Sequence, residues 1–361
     1  MASRKISLRL PWTSVVPAVA MLLLIVTWGS KPGMPMLVLV GLFLGGTVPA
    51  AVHHAEVVAH RVGEPFGSLV LAVAVTVIEV ALIVTLMASG DSSTATLARD
   101  TVFAAVMITC NGIIGLSLLV AALRHHVAVF NAEGTATAFT TVLTLAALSL
   151  VLPRFTTSRA GPEFSSSQLA FAAVVALSLY MLFVFIQTIR HRDYFMPEAG
   201  DDDDHPHGTS NRQAYASLGI LLVALVAVVG LAKISSPAIE AGVRAVGAPQ
   251  SAVGVVIALL VLMPETIAAV RNARRGRVQT SLNLGLGSAM ASIGLTIPTI
   301  AVASIWLEGP LHLGLNPTQM VFLTLTGIVG TLTVLPGRAT LQQGGVHLVL
   351  CGAFLFLALN P

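Results

Sequence analysis

Long apolar runs alternate with short polar stretches along the whole chain. A helix that crosses the hydrocarbon core of a bilayer needs roughly 20 predominantly apolar residues. By that measure eleven spans are expected, near 12–29, 34–52, 65–89, 101–123, 134–152, 168–190, 213–232, 249–270, 279–306, 317–335 and 342–360. A closed barrel would show short alternating strands instead. The predicted fold class is therefore all-α, a polytopic membrane protein of about eleven transmembrane helices.

The spans also have an order. The longest polar segment, 190–213, follows the sixth span; with the first span set aside, five precede it and five follow. An odd number of spans per set places the sets in opposite orientations, the inverted-repeat arrangement of many secondary transporters. The expected division is an extra N-terminal helix at 1–30, a first five-helix repeat at 31–190, an acidic loop at 191–212 and a second five-helix repeat at 213–361.

Composition sharpens this picture. The chain is 55% hydrophobic and 10% charged, with a mean hydropathy of +0.89; a soluble domain carries about 25% charge. Of the nineteen Lys and Arg, thirteen fall on the side of the N-terminus: Arg4, Lys5, Arg9, Arg61, Arg124, Arg190, Arg192, Arg212, Arg271, Arg274, Arg275, Arg277 and Arg338. Six fall opposite: Lys31, Arg99, Arg154, Arg159, Lys233 and Arg244. The positive-inside rule then predicts a cytoplasmic N-terminus and, with an odd span count, an outward C-terminus. MASRKISLRL precedes an apolar run without a small-residue cleavage site, so it reads as an anchor rather than a signal peptide. The pI near 9.2 follows largely from these topology signals and implies no nucleic-acid partner. Cys110 and Cys351 lie within apolar runs and read as small buried residues. The expected partners are inorganic cations, protons and the lipid bilayer; a homo-oligomer is compatible with the composition.

Two charges break the apolar pattern. Glu79 sits in LVLAVAVTVIEVALIVTLM and Glu265 in VGVVIALLVLMPETIAAV, one on the second span of each five-span set. An intramembrane carboxylate is costly unless it faces a protein-lined cavity and holds a cation or a proton. Pro264 frees the carbonyl of Leu260, a plausible hard-cation ligand; a kink that only aids packing is the alternative. Thr76 lies one helical turn before Glu79 on the same face. The helix after each Glu is rich in small and polar residues, with Asn111 and Ser117 in the first and Asn283, Ser288 and Ser292 in the second. Such residues allow close helix packing and supply oxygen ligands. The candidate cation ligands are Glu79, Glu265, Asn111, Ser288, Thr76 and Ser292. Protons and a cation compete for the same carboxyl oxygens, and that competition is an exchange mechanism. Two protonated Glu hydrogen-bonded across helices is the structural alternative.

Asp201, Asp202, Asp203 and Asp204, with His205 and His207, form an acidic run on the predicted cytoplasmic side. It reads as a solvated charge run that attracts cations. An enzyme binding magnesium-diphosphate through this run is a different-class alternative, but such enzymes use spaced aspartates on helices. His53, His54, His125 and His126 flank spans and read as interfacial.

AVHHAEVVAHRVGEPFGSLVLAVAVTVIEVALIV resembles the first repeat motif of the cation/proton exchangers of the calcium/cation antiporter superfamily, through Val62-Gly63-Glu64, Gly67, Leu69 and Glu79. LRHHVAVFN is similar to the motif's continuation. PETIAAVRNARRGRVQTSLNLGLGSAMASIGLTIP resembles the second repeat, through Glu265, the basic loop, Gly287-Ser288 and Pro298. The resemblance implies a bacterial sodium/calcium:proton antiporter type in the inner membrane. It implies no enzyme activity and no cofactor beyond the transported Ca2+, Na+ or K+ and H+. It further implies that Glu79 and Glu265 bind cation and protons alternately, that Asn111 and Ser288 match ligand positions, and that the Asp201–Asp204 segment gathers or senses cations. The usual Gly-Asn before each motif Glu is replaced by Val75-Thr76 and Val261-Leu262, and the His that often follows the second Glu by Thr266. With two amide ligands absent, sodium or potassium joins calcium as an expected cargo, and a mainly Na+(K+)/H+ antiporter is the close alternative.

Overall fold

A computed structural model describes residues 11–30, 32–63, 66–88, 95–196, 210–245, 247, 249, 251–306 and 309–360, and every structural statement refers to these. The helices are α1 (Trp12–Thr27), α2 (Met34–Val62), α3 (Phe66–Met87), α4 (Leu97–His125), α5 (Ala132–Arg154), α6 (Ser166–Arg190), α7 (Asn211–Ala245), α8 (Ser251–Arg274), α9 (Val278–Ala303), α10 (Pro317–Val334) and α11 (Leu341–Leu359). Among the described residues nine are long and apolar enough to cross a membrane; Trp12–Thr27 and Val73–Met87 are shorter apolar helices. Where the chain turns, the local chemistry marks it. Ser165, Asn316 and Thr340 cap α6, α10 and α11 in capping boxes with Gln168, Gln319 and Gln343. Gly63, Gly276 and Gly337 take positive φ just past the ends of α2, α8 and α10, where a Cβ would be strained.

Two helices outrun the expected spans. α2 ends at Val62 rather than near 52, and α7 at Ala245 rather than near 232. In α2 nothing breaks the helix before Gly63; on its extension His54 is buried and Glu56 half-buried, while His53, His60 and Arg61 are exposed. His54 is correspondingly not interfacial but 4% exposed: its ring nitrogens lie 3.1 Å from Ser217 Oγ on α7 and 3.1 Å from the Thr13 carbonyl on α1. A buried imidazole satisfied at both nitrogens fastens α1 to the α2–α7 pair. Three helices carry π-helical turns, at Ile108–Ile113 in α4, Ala147–Val151 in α5 and Ile186–Arg190 in α6. In α4 the Thr109 hydroxyl donates to the carbonyls of Ala105 and Val106 at 2.7 and 3.1 Å and competes with the helical ladder.

The helices pair crosswise. α2 packs along α7, α3 against α9, and α4 against α8, while α6 covers α9 and α11 covers α4. One apolar core lies among α4, α5, α6, α9 and α10; a second joins α1, α2, α3, α7 and α8. Small residues allow close approach: a Cβ on Gly254 of α8 would stand 2.8 Å from the Thr101 amide of α4. At one end of the bundle β1 (Ala128–Val129) pairs antiparallel with β2 (Arg338–Ala339), Ala128 opposite Ala339. At that same end Gln279 Oε1 accepts from the Asn131 amide, and Asn283 Nδ2 donates to the Phe195 carbonyl. The opposite end is tied by the Gly314 and Leu315 amides on the carbonyls of Pro162 and Leu150.

Candidate functional site

Glu79 on α3 and Glu265 on α8 are 4% and 5% exposed, and both line a single cavity of about 600 Å3. The i, i+4 geometry of a helix brings Ser288 and Ser292 of α9 to the same wall, and Thr76 lines it a turn before Glu79. Ser292 Oγ donates to Glu79 Oε1 at 2.6 Å, so α9 holds the α3 carboxyl in place. Glu265 Oε2 is buried without a hydrogen-bond partner. A carboxyl oxygen left unpaired in an apolar wall is unfavourable unless a proton or a cation occupies it in turn. α8 continues through Pro264, and Leu260, whose carbonyl the proline leaves without its donor, is not among the lining residues.

The cavity opens towards the β1–β2 end. Glu56 and His60 of α2, Gln187 and Thr188 of α6, Arg192, Asn272 of α8 and Thr280 and Asn283 of α9 form its outer part. Glu56 is a third carboxylate on this wall, and it lies beyond the expected end of the second span at 52. The signal was present: VVAHRV continues the helix without Gly or Pro, and Glu56 and His60 stand one turn apart. Among the described residues no three His, Cys, Asp or Glu side chains converge as a metal site. At its deep end the cavity offers two carboxyls and neutral hydroxyls.

Asn111 stands apart from this group. It is fully buried in the π turn of α4 and does not line the cavity. Its Nδ2 donates to Thr326 Oγ1 at 2.8 Å, and its Oδ1 faces His347 Nδ1 at 3.1 Å; His347 Nε2 reaches Thr333 Oγ1 at 3.2 Å. These bonds join α4, α10 and α11. Ser117 forms a different link, 2.6 Å from Ser281 Oγ, which donates to the Ala269 carbonyl. Asp201, Asp202, Asp203 and Asp204 lie outside the described residues. Cys110 and Cys351 are both free and buried.

The sequence relationships give the family of the chain. The sequence model for sodium/calcium exchanger proteins fits residues 33–189 and 216–360. The chain belongs to that family. It is 47% identical over 322 residues to the ionic transporter y4hA of Sinorhizobium fredii, covering 88% of this chain and 87% of that protein. It is 33% identical over 352 residues to the sodium-potassium/proton antiporter ChaA of Escherichia coli, covering 95% of each. Its fold is similar to the crystal structure of the Ca2+/H+ antiporter YfkE, with a TM-score of 0.73 at 13% identity, covering 97% of this chain and 99% of that one. Both matched segments of the family model contain a cavity glutamate, Glu79 in the first and Glu265 in the second.

Proposed function

We propose that this protein is a multi-pass membrane antiporter that moves a small hard cation out of the cytoplasm in exchange for protons, with Glu79 and Glu265 as the groups that bind them in turn. The observation that carries the reading is the convergence of these two buried carboxyls, from α3 and α8, on one cavity. A cation and protons compete for the same oxygens, so loading one releases the other. Thr76, Ser288 and Ser292 add neutral oxygens around the carboxyls.

Sodium and potassium are the cargo this oxygen set fits best. Calcium takes 6–8 oxygen ligands, whereas the one amide expected near the carboxyls, Asn111, is engaged with Thr326 and His347 away from the cavity. The relationship to a sodium-potassium/proton antiporter supports the same preference. Calcium is the second reading, favoured by Glu56 as a third carboxylate on the cavity wall. The crosswise pairing of α2 with α7, α3 with α9 and α4 with α8 supports two inverted repeats, α2–α6 and α7–α11, with α1 outside them. The arginine asymmetry supports a cytoplasmic N-terminus, a cytoplasmic mouth for the cavity, an outward C-terminus and, for a bacterial chain, the inner membrane.

The experiment is cation-induced dequenching of a pH-gradient dye in everted vesicles with Na+, K+ and Ca2+ in turn. Sodium or potassium should collapse the gradient at lower concentration than calcium. A response to calcium alone would select the second reading, and no response to any of the three would remove both.

A further inference from the structure

The cavity stops part-way through the bundle. Counting away from its mouth along four of the helices that line it, the last lining residues are Glu79 of α3, Ala105 of α4, Ala258 of α8 and Ser292 of α9; α6 contributes Tyr180 beside them. Side chains four residues apart share a helix face. One turn deeper on three of these faces are Thr101, Gly254 and Thr296. Thr101 and Thr296 are fully buried, and neither hydroxyl has a hydrogen-bond partner.

Among the described residues four buried hydroxyls lack a partner, those of Thr13, Thr101, Ser149 and Thr296, and only Thr101 and Thr296 stand one turn beyond the cavity. Thr109, Thr188, Thr266, Thr299 and Thr324 all donate to the carbonyl four residues earlier, the ordinary resting place of a helical threonine in apolar surroundings. Thr101 and Thr296 do not. The Thr101 hydroxyl faces Gly254, 3.0 Å from where a Cβ would sit, and no side chain separates the two helices there. Next along α4 is Asp100, 3% exposed. Its Oδ1 is held by Arg99 at 2.8 Å and by Gln319 at 3.0 Å, while Oδ2 is buried with no partner. Helix-dipole and tethering roles account for Oδ1; they leave Oδ2 and the two hydroxyls unexplained.

We infer that Thr101, Thr296 and the free oxygen of Asp100 line the path by which a small hard cation reaches the Glu79–Glu265 cavity from the opposite side of the membrane. In the state described here α4 and α8 close over this path at Gly254. Their separation in the alternate state exposes three oxygens in sequence, and Asp100, ion-paired to Arg99 through Oδ1, supplies the outermost one through Oδ2. The inference rests on the antiporter reading above.

The test uses the full chain with Cys110 and Cys351 replaced by alanine, carrying Thr101→Cys or Thr296→Cys, in sealed vesicles of each orientation. A membrane-impermeant cationic methanethiosulfonate is applied during turnover. Both thiols should react from the face opposite the Glu56–Asn272 mouth, with loss of exchange. A variant that exchanges but is unreactive from that face, or reacts only from the mouth face, overturns the inference. Should a cysteine variant fail to fold, Asp100→Asn gives an independent measure. It should raise the half-saturating cation concentration only when cation is supplied on the far face; an equal change from both faces, or none, counts against the path. Exchange that survives Glu79→Gln falls on the antiporter reading instead, so the two failures are distinguishable.

Discussion

At the residue scale, the side chains around the two carboxyls divide into those that touch the cavity and those that hold its walls. Ser292 belongs to the first group. Removing a buried hydrogen bond costs about 1 kcal/mol, close to a fivefold change in an equilibrium constant. Ser292→Ala should therefore raise the half-saturating cation concentration about fivefold while exchange persists, as read by dequenching titrations; an unchanged titration would detach Ser292 from cation binding. Asn111 belongs to the second group. Asn111→Ala leaves Thr326 and His347 short of a partner, and a buried polar group so stranded costs about 1–3 kcal/mol. The detergent-solubilised variant should melt at a lower temperature with its half-saturating cation concentration unchanged. A weakened cation affinity at unchanged stability would return Asn111 to the ligand set that the family resemblance implies. The two glutamates were legible in the sequence because charge is so costly in hydrocarbon that it stands out by itself. The place of Asn111 was not, since a polar residue on a buried helix gives no sign of which neighbour its amide will meet.

At the scale of elements, the packing of α4 against α8 carries the site. Gly254 lets the two backbones approach, so Gly254→Val should force them apart at a cost of about 1–3 kcal/mol for overpacking and displace the helix that bears Glu265. Exchange should fall sharply, whereas Gly219→Ala on α7, where nothing lies within 4 Å of the added carbon, should leave it intact. Equal activity in the two variants would show that the α4–α8 contact does not position the carboxyls. The apolar runs marked most helix positions well, because bilayer thickness sets a minimum length that few other folds need. Helix ends were less legible. α2 runs on past its hydrophobic stretch with His54 and Glu56 facing protein, and a polar residue buried by a neighbouring helix looks in sequence like the start of a loop. The π turns in α4, α5 and α6 left no mark in the pattern, since inserting one residue in a helix alters neither composition nor length enough to be read.

At the scale of the molecule, a cavity that runs from Glu56 and Asn272 in to Glu79 and Ser292 fits one half of an alternating-access cycle. Orientation is testable separately from transport. In a background lacking Cys110 and Cys351, a cysteine at exposed Arg275 should react with an impermeant thiol reagent only when the cytoplasmic face is accessible, and one at exposed Trp306 only from outside. The reverse pattern would invert the molecule and the direction assigned to its cavity. If Glu79 and Glu265 bind cation and protons in turn, cation-driven proton flux should vanish in vesicles containing Glu79→Gln or Glu265→Gln. Glutamine keeps the size of the side chain but neither releases a proton nor balances a cation's charge. Each variant should insert at wild-type levels, remain monodisperse in detergent and show no sodium-, potassium- or calcium-driven dequenching; robust flux in either one would contradict the account.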